Sequence, residues 1–182
     1  QEFGVSASEM FGKTLQGLPI KNVLEVGCNI GNKLALLKKL GFEELTGVEP
    51  LNFAISEGKK RYPFINFKQG TVFNLPFKSN SFDLVFTAGV LIHINPRDLS
   101  MAIDEIARVA GKWILGFEYY SVKPQRVVYR GRDELLWKRD FVSEYLKKVA
   151  GLKILYEKRF KHNPEEVGRD GLKSQIFVLQ KQ

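Results

Sequence analysis

Four groups of residues in this sequence have the types and spacing to do chemistry. Gly27 and Gly31 bracket a turn, and Glu49 lies 22 residues beyond the first glycine. Glycines let backbone approach a ligand closely, and the N-terminus of a following helix offers unpaired N–H groups with partial positive charge. A carboxylate at that distance suits the ribose hydroxyls of a ligand held by a nucleotide-binding βαβ unit. His93 is the best candidate for a general base, because imidazole titrates near working pH; a hydrogen-bonded histidine in a crevice wall is the alternative. Glu118, Tyr119 and Tyr120 place an acid and two phenols together, to orient an acceptor or simply to cap the core. Finally, Lys123, Arg126, Arg130, Arg132, Lys138 and Arg139 alternate with Tyr119, Tyr120, Tyr129 and Trp137. Arginine forks suit carboxylate or phosphate, whereas a solvated basic face is the plainer alternative.

These residues need elements to hold them. Val23, Leu24 and Val26 form a short β-forming run of the kind found in strands buried on both faces. Leu34, Leu36, Leu37 and Leu40 follow at helical spacing, with lysines on the wet side and Gly41 at the C′ position. The unit is therefore strand, glycine turn, helix. A second strand over 45–48 ends at Glu49, a helix over 51–61 stops before Pro63, and a short strand covers 65–68. Residues 81–86 form a buried strand that opens on Asp83, whose position favours strand geometry over ligand contact. A helix is predicted from Pro96, as its first residue, to about Val109, and a fifth strand over 112–117 ends at Glu118. A helix over 139–150 closed by Gly151 and strands over 152–156 and 175–179 complete the chain. At the front, residues 5–17 suit an amphipathic helix, with Ser6 and Glu9 at capping-box spacing, that closes over a ligand or covers a sheet edge.

The 182 residues suit a single domain over 1–182: an N-terminal helix or lid over 1–21, a cofactor-binding core over 22–118, an acceptor segment over 119–141, and a C-terminal helix and strands over 142–182. An apolar content of 44% places the chain among globular proteins. Thr87, Gly89 and His93 interrupt its longest apolar stretch, which is too short to span a bilayer. The first twenty residues carry no signal pattern. A soluble, cytoplasmic protein, monomeric or weakly dimeric and without a membrane association, is expected. Cys28 is the one cysteine, which excludes an internal disulfide and a cysteine-based zinc site, and no metal is expected. Of the net charge of +8, nearly all lies in residues 121–182, with 15 Lys and Arg against 8 acids. That asymmetry points to an acidic substrate or partner.

A nicotinamide-binding turn would read G-x-G-x-x-G, and this chain lacks room for a second, substrate-binding domain. Glu25-Val26-Gly27-Cys28-Asn29-Ile30-Gly31 instead resembles the first motif of class I S-adenosylmethionine (SAM) dependent methyltransferases, E/D-x-G-x-G-x-G. Asn29 replaces the middle glycine, a mild departure because asparagine tolerates positive φ. Gly70 to Phe77 resembles the adenine-binding segment of that family, with Thr71 where many members carry an acid, and Ser81 to Phe86 resembles its fourth strand. The resemblance implies a Rossmann-like α/β fold with a mostly parallel seven-stranded sheet, an antiparallel last strand and helices on both faces. It implies SAM as cofactor and S-adenosylhomocysteine as product. Gly27, Asn29 and Gly31 would cradle the amino-acid end, Glu49 the ribose, and Thr71 and Val72 the adenine. Glu25, Cys28, Pro50, Phe73, Ala88 and Gly89 complete the implied cofactor site.

A closer resemblance runs through Gly89 to Pro96, Glu118-Tyr119-Tyr120, Tyr129-Arg130-Gly131 and Lys138 to Phe141 together with the cofactor motifs. Over roughly residues 22–141 the chain resembles the methylases associated with pseudaminic acid biosynthesis. The implied acceptor is an acidic sugar, free or nucleotide-activated, contacted by Tyr120, Tyr129, Arg130, Arg132, Lys138 and Arg139. His93, Glu118 and Tyr119 would be the catalytic group. Two alternatives remain, an RNA or protein methyltransferase suggested by the basic and aromatic segment, and a SAM-binding scaffold without turnover. The first is weakened by the lack of an asparagine-proline-proline-aromatic motif and of an appended RNA-binding module.

Overall fold

The structure is a computed structural model that describes residues 7–128, 135–161 and 173–182. In its sheet β1 (Asn22–Val26) pairs in parallel with β2 (Glu44–Glu49) on one side and β4 (Phe82–Ala88) on the other. β3 (Asn66–Gln69) extends the sheet beyond β2, and β5 (Ala110–Tyr119) beyond β4. The final strand β9 (Lys173–Lys181) lies antiparallel between β5 and β8 (Leu152–Lys161). The order is therefore β3-β2-β1-β4-β5-β9-β8, with β9 alone reversed. The expected sheet and its antiparallel last strand are both present.

Alternation along each strand sends side chains to two cores. Val23, Leu84, Phe86 and Leu115 face α1 (Ala7–Leu15), α2 (Asn32–Lys39) and α3 (Asn52–Arg61). Leu24, Val85, Ile114 and Phe177 face α4 (Leu99–Val109) and α5 (Phe141–Lys148). Helix α1 buries Phe11 edge-on against Phe86, ring centroids 5.6 Å apart. It thus covers a sheet face beside α2, and none of its described residues lines the cleft below. Ser6, the first member of the expected capping box, lies outside the described residues.

Two boundaries differ from expectation for identifiable reasons. The carbonyl of Asn95 accepts N–H bonds from Asp98 and Leu99, and its side chain accepts from Arg97, so Pro96 sits in a turn and α4 begins at Leu99. Asp140 accepts from the Ser143 N–H at 3.1 Å, which makes it the cap of α5 and leaves Arg139 outside that helix. Helix α5 ends at Lys148, and Gly151 stands in the turn that follows.

Asp83 lies at the edge of the sheet opposite the carboxyl ends of the strands. Its carboxylate accepts from the N–H groups of Lys21 and Asn22, while the Asn22 side chain accepts from its own N–H at 2.6 Å. This is a latch between β1 and β4, as the sequence suggested. Asp83→Ala will destabilise the fold by about 1–2 kcal/mol, through two orphaned donors, and leave S-adenosylhomocysteine affinity unchanged. Denaturant unfolding and a binding titration on the same sample check both halves of that expectation.

Candidate active site

The carboxyl ends of β1, β2 and β4 open into a cleft of about 350 Å³. The crevice beyond parallel strand ends is where ligands bind in open α/β sheets. Its floor is the turn after β1. Gly27 has φ 72°, and a Cβ there would stand 2.6 Å from Val90 Cγ2 on the facing wall. Asn29 has φ 51°, which asparagine adopts more readily than other side chains, and its Oδ1 accepts the N–H of Ile30 at 2.8 Å.

Glu49 ends β2 at the cleft. One carboxylate oxygen accepts the N–H of Asn29 at 3.0 Å and the other that of Leu51 at 3.1 Å. Each oxygen keeps a second lone pair, so the carboxylate can receive two hydroxyl donors while fixing the turn beside it. Pro50 lies next to it on the rim. The opposite rim is Thr71, Val72 and Phe73, three residues of the expected adenine segment.

That rim is held by a pair that sequence reasoning missed. Arg108 on α4 donates to the carbonyls of Phe77 at 2.7 Å and Leu75 at 3.1 Å, and Glu105 accepts the N–H of Leu75 at 2.9 Å. The two side chains also bond to each other, Nε to Oε1 at 2.6 Å. Their i,i+3 spacing on α4 was the available signal, though it reads equally as an ordinary surface pair.

The wall facing the glycine turn is formed by Gly89, Val90, His93 and Ile94, carried on and around a 3₁₀ turn over Leu91–His93. His93 Nδ1 lies 2.8 Å from the carbonyl oxygen of Leu135. A carbonyl can only accept, so Nδ1 donates this bond. His93 therefore stands in the cleft wall with its ring held by the Leu135 carbonyl.

Glu118 does not face the cleft. Strand alternation turns it inward, where its carboxylate accepts the N–H groups of Val90 at 3.2 Å and Ile92 at 3.4 Å. This corrects the expectation of an acceptor-facing acid: Glu118 pins the wall that carries His93. Burial pushes it up to about 7. Because that folded-state pKa lies above the ordinary 4.5, its stabilising contribution is full below about 4.5 and is lost as pH rises through about 7. Glu118→Gln removes this titration. Between about pH 5 and about pH 8 the variant will lose less stability than the wild type, by up to about 3 kcal/mol. Denaturant unfolding at the two pH values measures the difference, and identical pH dependence in the two proteins would contradict the placement.

Other expected cofactor residues sit behind the cleft. Glu25 is buried on the α2 side of β1, where Lys33 Nζ lies 3.9 Å from its carboxylate, and burial raises it to about 8. The Cys28 thiol packs on Gly47, where an added Cβ would lie 2.5 Å from Sγ, and burial pushes its pKa well above the usual thiol range. It is a small residue that fits. Gly31 turns toward β3, and a Cβ there would stand 2.8 Å from the Phe67 ring, so it serves the packing of α2 on the sheet. Asn29 contributes its backbone to the Glu49 contact, and Ala88 ends β4 without lining the cleft.

The basic segment forms a two-stranded ribbon, β6 (Gln125–Arg126) and β7 (Trp137–Lys138). Lys138 and Tyr120 line one cavity, of about 410 Å³, together with Lys123 and Lys173. Arg139 lines another, of about 570 Å³. Tyr120 is buried beneath the Arg159 guanidinium, 4.4 Å from the ring centre, and Tyr119 packs against the α4 side of the core. Tyr129, Arg130 and Arg132 lie outside the described residues. Among the described residues no three His, Cys, Asp or Glu side chains are grouped to hold a metal, and no helix is long and apolar enough to cross a membrane.

A sheet in this order, a glycine turn after β1 and an acid at the end of β2 define a class I SAM-dependent methyltransferase domain. Comparison with known proteins agrees. Residues 23–112 match the family described as a methyltransferase domain. Among curated relatives, an O-methyltransferase of Pyrenophora dematioidea is 29% identical over 52% of this chain and 37% of its own length. Demethylmenaquinone methyltransferase of Chlorobaculum tepidum is 30% identical over 58% of this chain and 43% of its own. The chain thus spans less than half the length of these relatives. The structure of 1,6-didemethyltoxoflavin-N1-methyltransferase from Burkholderia thailandensis, with 1,6-didemethyltoxoflavin and S-adenosylhomocysteine bound, superimposes with a TM-score of 0.76. It is 17% identical and covers 97% of this chain and 79% of that one, a likeness of fold.

Proposed function

We propose that this protein transfers the methyl group of SAM to a small anionic acceptor, and that the acceptor is an acidic sugar of the pseudaminic acid type or a related surface-glycan intermediate. The observation that carries the proposal is the adjacency of two sites. His93 and Ile94 line the cleft that ends at Glu49, and the next three residues, Asn95, Pro96 and Arg97, line the arginine cavity. One stretch of chain thus borders both the cleft at the strand ends and a basic chamber.

The residues of the cleft suit the cofactor. Glu49 offers its carboxylate to the ribose hydroxyls, Val72 and Phe73 supply apolar contact for adenine, and Gly27 and Gly89 leave backbone open to the amino-acid end. SAM supplies an electrophilic methyl group on a sulfonium, whose displacement by an acceptor atom leaves S-adenosylhomocysteine. That displacement disperses charge, so alignment in a water-poor cleft can supply much of the acceleration. With a hydroxyl acceptor, His93 Nε2 takes the proton released as the new bond forms, and Glu118 keeps His93 in place through the backbone of Val90 and Ile92.

Incubation of the protein with methyl-labelled SAM and a panel of acidic and phosphorylated sugars tests this. Label in a small-molecule fraction is expected. Label confined to RNA or to protein in a cell extract would sink the acceptor assignment, and cofactor binding with no acceptor labelled at all would favour a scaffold.

A further inference from the structure

The arginine cavity has more charge than a single carboxylate acceptor requires. Three guanidinium groups converge on it from three separate segments: Arg97 from the turn before α4, Arg126 from β6, and Arg139 from the end of β7. Among the described residues no acidic side chain lines it. Arg97 and Arg126 form no ion pair among the described residues. Arg139 is 6% exposed and, among the described residues, forms one long ion pair, to a Glu144 carboxylate oxygen 3.7 Å away. A buried guanidinium held by one long ion pair keeps donors for a further anionic partner.

We propose that this cavity binds the phosphate or diphosphate group of a phosphorylated acceptor, with Arg97, Arg126 and Arg139 as its ligands. The proposal rests on the methyltransferase reading for its link to the cofactor cleft. A carboxylate has two oxygens and one charge, and a single fork satisfies it. A diphosphate spreads more oxygens and at least two charges, which is what three forks on three segments can surround. Trp137 and Pro124 border the same cavity and offer flat apolar contact to the body of the acceptor. Glu144 stays paired behind Arg139 and fixes its direction. The lysine cavity across the ribbon is the competing location. Lysine presents a hydrated point charge, which attracts phosphate without matching its geometry.

The test uses the intact chain saturated with S-adenosylhomocysteine, with inorganic pyrophosphate as the calorimetric probe at fixed salt. Saturable binding is expected, weakened about tenfold or more by Arg97→Ala and by Arg126→Ala, since each removes charge-assisted bonds. Arg126→Lys will recover only part of the loss. S-adenosylhomocysteine affinity will be unchanged in both alanine variants, and malonate, a dicarboxylate, will bind more weakly than pyrophosphate. Lys153→Ala, an exposed cation outside the cavity, controls for general attraction to a basic protein. Absence of pyrophosphate binding, or a loss produced by Lys123→Ala in place of the arginine variants, would overturn the proposal. So would malonate binding as tightly as pyrophosphate. Failure of S-adenosylhomocysteine to bind would instead remove the methyltransferase reading, and pyrophosphate titration of the unloaded chain would still decide the arginine site.

Discussion

Gly27→Ala will weaken S-adenosylhomocysteine binding by about one to two orders of magnitude. Two effects add. At φ 72° a side chain costs about 1–2 kcal/mol, and the new Cβ would stand 2.6 Å from Val90 Cγ2. Val90 is poorly placed to yield, because the buried carboxylate of Glu118 holds its N–H at 3.2 Å. The turn must therefore move, and with it the N–H of Asn29 and its bond to Glu49. Gly41→Ala supplies the control: its φ is 96°, and an added Cβ there meets nothing within 4 Å. It will lose about 1–2 kcal/mol of stability and keep its affinity. Equal loss of binding in both variants would show that strain, and not the cleft wall, decides the outcome.

Glu49→Ala will weaken the same ligand by about tenfold or more, the equivalent of roughly 1.4 kcal/mol. The carboxylate does two things in one place. It accepts the backbone N–H groups of Asn29 and Leu51, and it lines the cleft with lone pairs to spare. Alanine removes the ribose contact and releases the turn together. Glu49→Gln keeps one carbonyl acceptor, so its affinity will fall between the other two. Calorimetric titration of the three proteins checks the order, and a wild-type-like affinity in Glu49→Ala would remove the ribose assignment.

Sequence patterning revealed the parts of the site whose chemistry is local. Glycines, an asparagine and an acid at fixed offsets around a strand-turn-helix unit made the cleft floor visible, and Asn29 adopts the positive φ that its side chain permits. Asp83, expected to support strand geometry, does so by accepting the N–H groups of Lys21 and Asn22. Harder to see were contacts made between distant segments. Glu118 looked like a residue at a strand end facing ligand, yet β5 continues to Tyr119 and its pleat turns Glu118 inward, toward backbone donors 26 and 28 residues earlier. Glu105 and Arg108 resemble an ordinary helical surface pair until the loop at Leu75–Phe77 is brought against them. The ribbon of β6 and β7 has two residues per strand, too few to show any periodicity, and it separates the basic segment into a lysine cavity and an arginine cavity. Pro96 was assigned to a helix start on its own preference, which the turn built by Asn95 overrides.

The most direct test of the central claim is calorimetric titration of S-adenosylhomocysteine into the unmodified protein. A cofactor cleft built from Gly27, Glu49 and the Thr71–Phe73 rim predicts saturable binding at one site per chain, with a Kd on the order of micromolar. Titration without saturable heat, at ligand concentrations up to about a millimolar, would contradict it and withdraw every role assigned to the cleft.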